Sequence, residues 1–243
     1  MALAGRAALW AAGKEGTVQV AAVNGDETAS ISRDMTDSAA VLSLTTTARR
    51  EIPVTVFASL RRADDGLKIP LGQHKAALRP DDTTQVRVPL PSLRAGEYYV
   101  DARVIGDRGA VAFGAGLINV TSEAGVEKVE LNRTFVERGE TITASVTLRS
   151  TPPEGSLLRM RLRDSYDRVL VQRDIPVQAG QTEFTFDYTA DEFATILMRC
   201  EAALIAGGDE VEMRTAEFTV PKRRQGQFNF VMWDAPRDTL AAY

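Results

Sequence analysis

Two alternating runs lie one hundred residues apart in this 243-residue chain. Tyr98 to Val104 and Met198 to Leu204 each place an apolar side chain at every second position, the period of a strand with one buried face. The match extends outward from these runs. Val41-Leu42-Ser43-Leu44 has a counterpart in Val146-Thr147-Leu148, and Ile118-Asn119-Val120 in Phe218-Thr219-Val220, at nearly the same offset. A repeat of about one hundred residues predicts two tandem copies of one unit, each burying its own apolar faces.

The segments between the runs say what that unit is. Asp64-Asp65-Gly66, Arg79-Pro80-Asp81-Asp82, Arg94-Ala95-Gly96 and Gly106-Asp107-Arg108-Gly109 separate the strands of the first copy. Ser150 to Gly155, Gln178 to Gln181 and Ala206 to Asp209 do the same in the second. Gly, Asp and Pro supply the preset or left-handed dihedrals that tight turns need. About seven short strands per hundred residues predict an all-β chain of two tandem antiparallel immunoglobulin-like β-sandwiches. The expected division is an N-terminal extension over 1–16, sandwiches over 17–121 and 126–221, and a polar linker over 122–125. Residues 222–243 read as a further linker and the start of a following domain. A linker this short favours an end-to-end arrangement with a small interface.

Both ends of the chain fall outside the repeat. Leu3, Ala7 and Trp10 have helical spacing, while Gly13-Lys14-Glu15-Gly16 equally allows a turn that leads a strand through Leu9-Trp10 back along Thr17 to Val23. Phe228 to Asp234 reads as a buried strand, followed from Pro236 by the first turns of a helix.

Composition narrows the function. Lys and Arg number 29 against 33 Asp and Glu, so no basic excess exists to neutralise phosphates and nucleic acid is not an expected partner. The apolar stretch Ala7 to Ala12 is far short of the roughly 20 residues of a membrane helix. Arg6 interrupts what would otherwise resemble the core of a signal peptide. One cysteine and one histidine leave no disulfide framework and no Cys/His metal site, and neither a cofactor nor a metal is expected. Asp64-Asp65, Asp81-Asp82, Glu137 with Glu140, and Asp191-Glu192 fall at turns, where a carboxylate normally serves the local backbone. His74 reads as a solvated loop residue. Cys200 shares a face with Met198, Ala202 and Leu204, which makes it a core residue. No catalytic residue is expected, and Tyr99 and Trp10 are the candidate binding residues, as aromatics able to stack on a glycan.

Leu93-Arg94-Ala95-Gly96-Glu97-Tyr98 resembles the Leu-x-x-Gly-x-Tyr corner of fibronectin type III and related immunoglobulin-like domains. That resemblance implies structural roles for Gly96 and Tyr98, the Tyr hydroxyl bonding back to the chain. The second copy departs from the motif, carrying Asp191 to Ile196 with no Tyr. Phe135-Val136-Glu137-Arg138-Gly139-Glu140-Thr141-Ile142 is similar to the strand starts of macroglobulin-type and other bacterial extracellular sandwich domains. The tail resembles the first strand and helix of a (β/α)8 barrel, as in β-galactosidase-type glycoside hydrolases, where sandwich domains precede the barrel. These likenesses imply an extracytoplasmic, non-catalytic module that spaces or docks neighbouring domains of a longer polypeptide. The alternative is a carbohydrate-binding accessory region.

Overall fold

The computed structural model describes residues 16–24, 29–35, 37–190 and 196–221, together with Ala7, Ala8 and Ala11. Trp10, Asp191-Glu192 and the strand expected over Phe228 to Asp234 lie outside the described residues. Eight strands build the first unit: β1 (Val18–Val23), β2 (Ala29–Ser32), β3 (Ala39–Thr46), β4 (Ile52–Arg62), β5 (Lys68–Leu78), β6 (Thr83–Pro89), β7 (Gly96–Gly106) and β8 (Gly109–Thr121). They form two sheets, β1-β3-β6 and β2-β8-β7-β4-β5. Seven more build the second: β9 (Val126–Leu131), β10 (Thr141–Leu148), β11 (Leu157–Asp164), β12 (Val169–Pro176), β13 (Glu183–Thr189), β14 (Leu197–Ala206) and β15 (Asp209–Thr219). Their sheets are β13-β10-β9 and β12-β11-β14-β15. All pairings between these strands are antiparallel except β2 on β8, which is parallel. The chain is thus two tandem β-sandwiches.

The hundred-residue offset maps strand onto equivalent strand. β3 and β10 are each the middle strand of a three-stranded sheet, β7 and β14 each lie between two partners in the larger sheet, and β8 and β15 follow them. Alternation then decides burial. Tyr98, Val100, Ala102 and Val104 point into the first sandwich with Leu42, Leu44, Leu60 and Ile118. Cys200, Ala202 and Leu204 point into the second with Val146, Leu148, Leu158 and Met160, and Met198 joins Ile142, Leu162 and Phe218 further along the same sandwich. The core of the first unit shares no residue with those of the second.

Several local features differ from the sequence reading. His74 is in β5 opposite Val56, its Nε2 lying 3.2 Å from the Leu71 carbonyl oxygen, and is not a loop residue. β15 runs without interruption from Asp209 to Thr219 although its solvated centre, Arg214 and Thr215, breaks the apolar pattern. Gly114 and Gly116 serve a close approach of the two sheets. A β-carbon at either would overlap Val20 or Val23 of β1, so the edge of one sheet closes on the other only where side chains are missing.

Candidate functional site

The corner motif carries the site. Tyr98 is 1% exposed, and its hydroxyl donates to the Arg94 carbonyl at 2.9 Å, while Gly96 takes a φ of +145° that favours glycine. Burial pushes the Tyr98 phenol above its ordinary pKa. The bond fixes the backbone of residues 94–95, and those residues reach the second sandwich. The Ala95 N–H donates to the Val211 carbonyl at 2.7 Å, and Ala95 and Glu212 form a parallel bridge. Arg33 adds a bond from its guanidinium to the Glu210 carbonyl at 3.3 Å.

The Arg94 side chain, 8% exposed, links the units electrostatically. Its guanidinium pairs with Asp64 of its own unit and donates to Glu210 Oε1 of the other at 2.7 Å. Arg62 holds Asp64 at 3.0 Å and pairs with Asp65. Glu210 Oε2 accepts from Arg161 at 2.7 Å, and Arg161 and Arg163 flank Glu201 at 3.7 and 2.9 Å. The result is one unbroken file of alternating charge, Asp65, Arg62, Asp64, Arg94, Glu210, Arg161, Glu201 and Arg163, running from the β4–β5 hairpin across the joint onto the outer face of β11 and β14.

The turn aspartates therefore do two things. Asp65 accepts the Leu67 N–H at 2.9 Å, the expected backbone service, and also anchors the file. The Arg62 hydrogen bond holds its carboxyl down to about 2. Burial alone would push Glu210 up, but the Arg94 hydrogen bond and the charges of Arg94 and Arg161 outweigh it and hold the carboxyl below its ordinary range. A carboxyl depressed on folding contributes stability above its unfolded value, about 4.3 for Glu, and loses it as pH falls through the lower folded value. The joint should therefore hold at neutral and alkaline pH and weaken below about pH 4. Arg94→Met should cost about 1 kcal/mol, a modest figure because Asp64 and Glu210 are 43% and 27% exposed. Thermal melts of the parent chain and Arg94→Met at pH 7 and pH 3 check this: the difference between them should shrink at the lower pH.

The linker is fastened on the other side of the same joint. Arg149 donates to the Ser122 carbonyl at 2.7 Å through its guanidinium and to the Gly125 carbonyl at 2.9 Å through its backbone. Its guanidinium also holds Glu212, 4% exposed, at 3.0 and 3.2 Å, and Arg214 completes that carboxylate at 2.7 Å. Between the two networks lies a cleft of about 760 Å³, where Arg62, Arg94, Arg149 and Arg214 meet Asn119 and Glu212. Each of those arginines has a carboxylate partner, which makes the cleft a closed charge network.

The other candidates sit elsewhere. Tyr99 is 36% exposed on the outer face of the first unit, with the Arg61 guanidinium stacked 4.4 Å from its ring centre. Cys200 is 2% exposed and its thiol is pushed up to about 12, by burial first and by the neighbouring Glu201 charge second, so it is not a nucleophile. No group of three or more His, Cys, Asp or Glu among the described residues could hold a metal. No described helix is long and apolar enough to cross a membrane. Arg94, Glu210, Glu212 and Gly125 escaped the sequence reading. A signal existed only for their neighbours, since Arg159, Arg161 and Arg163 alternate with Leu158, Met160 and Leu162 and announce a charged outer face.

No family model matches the chain, and no curated protein matches it. Among solved structures it is similar to the crystal structure of red sea bream transglutaminase, at 12% identity and a TM-score of 0.41, over 90% of this chain and 33% of that one. The chain thus spans about a third of the length of that structure.

Proposed function

We propose that the two sandwiches form a non-catalytic spacer that holds neighbouring parts of a longer polypeptide at a fixed separation and angle. The observation that carries this reading is the file of eight alternating charges across the joint. A linker as short as 122–125 limits reach but not orientation, and backbone bonds at one point would still leave a hinge. Contacts on both sides of the linker remove it: Ala95, Arg94 and Arg33 on Val211 and Glu210, and Arg149 on the linker carbonyl of Ser122. The network is specific as well as stiff, because a rotated joint would bury Arg94 without its carboxylates. A glycan platform at Tyr99 is the less favoured reading, since Arg61 occupies a face of the ring that a sugar would need.

Spin labels on Asp107→Cys and Thr185→Cys, one exposed site in each unit, test the proposal while buried Cys200 stays unlabelled. A single narrow distance distribution is expected at pH 7. A broad distribution like that of a flexible four-residue tether would refute a spacer of fixed geometry.

A further inference from the structure

The two larger sheets carry unlike outer faces. The strand order β5-β4-β7-β8 of the first unit matches β12-β11-β14-β15 of the second, so the repeat supplies its own comparison. In the second unit Arg159, Arg161, Arg163 and Arg199 each meet a carboxylate of that unit: Asp174 at 2.8 Å, Glu210 at 2.7 Å, Glu201 at 2.9 Å, and Asp167. That face neutralises itself. In the first unit Val54, Val56, Ala58 and Leu60 of β4 and Val100, Ala102 and Val104 of β7 point into the core. Alternation turns Phe57, Arg61, Tyr99, Asp101 and Arg103 outward. The register sets Phe57 between Arg103 and Gln73, Arg61 between Tyr99 and Lys68, and Lys75 beside Thr55. Four cations, Arg61, Lys68, Lys75 and Arg103, thus share a face with two carboxylates: Asp101, which takes Arg61 at 3.3 Å, and Glu97, which lines the cleft at the joint end. Lys68, Lys75 and Arg103 make no ion pair among the described residues. Arg61 lies over the Tyr99 ring at 4.4 Å and Arg103 over the Phe57 ring at 5.2 Å, which presents both guanidiniums in a fixed orientation. Arginine laid on exposed aromatic rings is the composition of a protein interface rather than of a solvated face.

The chain itself carries a complementary surface. In the smaller sheet of the second unit Ala144, Val146, Leu148, Phe184 and Phe186 point inward, which turns Ser145, Thr147, Glu130, Glu183 and Asp187 outward. Lys128 satisfies Glu130 at 2.6 Å, whereas Glu183 and Asp187 pair with no cation among the described residues. The β10 side chains between them are serine and threonine, short enough to let another sheet approach. Spacing matches as well as sign. Arg103 lies opposite Phe57, four residues before Arg61 on β4, and Glu183 precedes Asp187 by four residues on β13, so each pair is about 13 Å apart along its sheet. We propose that the outer face of β4, β5 and β7 docks on the outer face of β9, β10 and β13 of a second copy of this chain. Because the two faces differ, the contact is heterologous and adds copies head to tail. The spacer reading rests on the joint and stands whether or not copies meet.

Sedimentation velocity on the full chain tests this. In about 0.01 M salt the weight-average coefficient should rise with protein concentration, and in about 1 M salt, where screening reaches within a few Å, it should return to that of a monomer. Lys75→Glu with Arg103→Glu reverses the basic face, and Glu183→Lys with Asp187→Lys reverses the acidic one. All four side chains are exposed, so neither change touches a core. Each double variant alone should stay monomeric, its two faces now alike in charge. An equimolar mixture of the two should associate again, which also shows that both are folded. A parent chain that stays monomeric in low salt would overturn the proposal, as would association that either double variant keeps on its own, or a mixture that fails to associate. A monomeric parent retained on heparin, with retention lost on Lys75→Glu and Arg103→Glu, would assign the basic face to an anionic polysaccharide and overturn it equally.

Discussion

Leu148→Ala should destabilise the second sandwich by about 2–5 kcal/mol and leave the first unmoved. Leu148 is 2% exposed and packs with Val126, Leu158 and Phe184 in the core nearest the joint, where its backbone N–H also bonds the Thr182 carbonyl at 2.8 Å. Removing the side chain leaves a cavity that cannot collapse easily, because β9 and β13 pin β10 on both sides. The first unit's core contains none of these residues. Urea unfolding followed by two probes, Tyr98 environment for the first unit and Cys200 accessibility for the second, should show the second transition move and the first stay. A common shift of both would mean that the ion pairs across the joint couple the two cores into one cooperative unit.

Much of the fold was legible because core strands announce themselves twice, by alternation and by recurrence. β7 and β14 show both, and the offset of one hundred residues matches their equivalent positions in the two larger sheets. Asp81, in the turn expected over Arg79 to Asp82, takes the positive φ of +56° that aspartate tolerates. Edge strands were harder. β5 is exposed along most of its length and carries Pro70 and a bulge at Gly72, so its pattern is polar and His74 looked like a loop residue. β2 has four residues and is held by parallel pairing to β8, information that lies about ninety residues away in the sequence. The corner motif was legible as a local structure through Tyr98 and Gly96. Its consequence was not, because Arg94 matters through Glu210, more than one hundred residues distant, and charged residues carry no periodicity that names their partners. Ion pairs between units are decided by which surfaces meet.

Gly125 illustrates the same limit from the other side. In the sequence it ends a short polar linker that favours an end-to-end arrangement; in the structure it is buried, and its φ lies outside the region that favours glycine. It is needed for space. A β-carbon there would overlap Glu212 Oε2 and stand 3.1 Å from the Arg149 guanidinium. Gly125→Ala must therefore drive the carboxylate from Arg149 and Arg214 in a site where Glu212 is 4% exposed and water cannot easily replace them. The overpacking alone should cost about 1–3 kcal/mol, with lost charge pairing adding to it. A loss caused by backbone strain at position 125 would persist whatever side chain stands at position 212, whereas a loss caused by crowding needs the carboxylate. Denaturant midpoints for Gly125→Ala, Glu212→Ala and the double variant separate the two causes. With the carboxylate gone, the added methyl should cost almost nothing, so a penalty of the same size in both backgrounds would refute the close approach of linker and carboxylate as the reason for glycine.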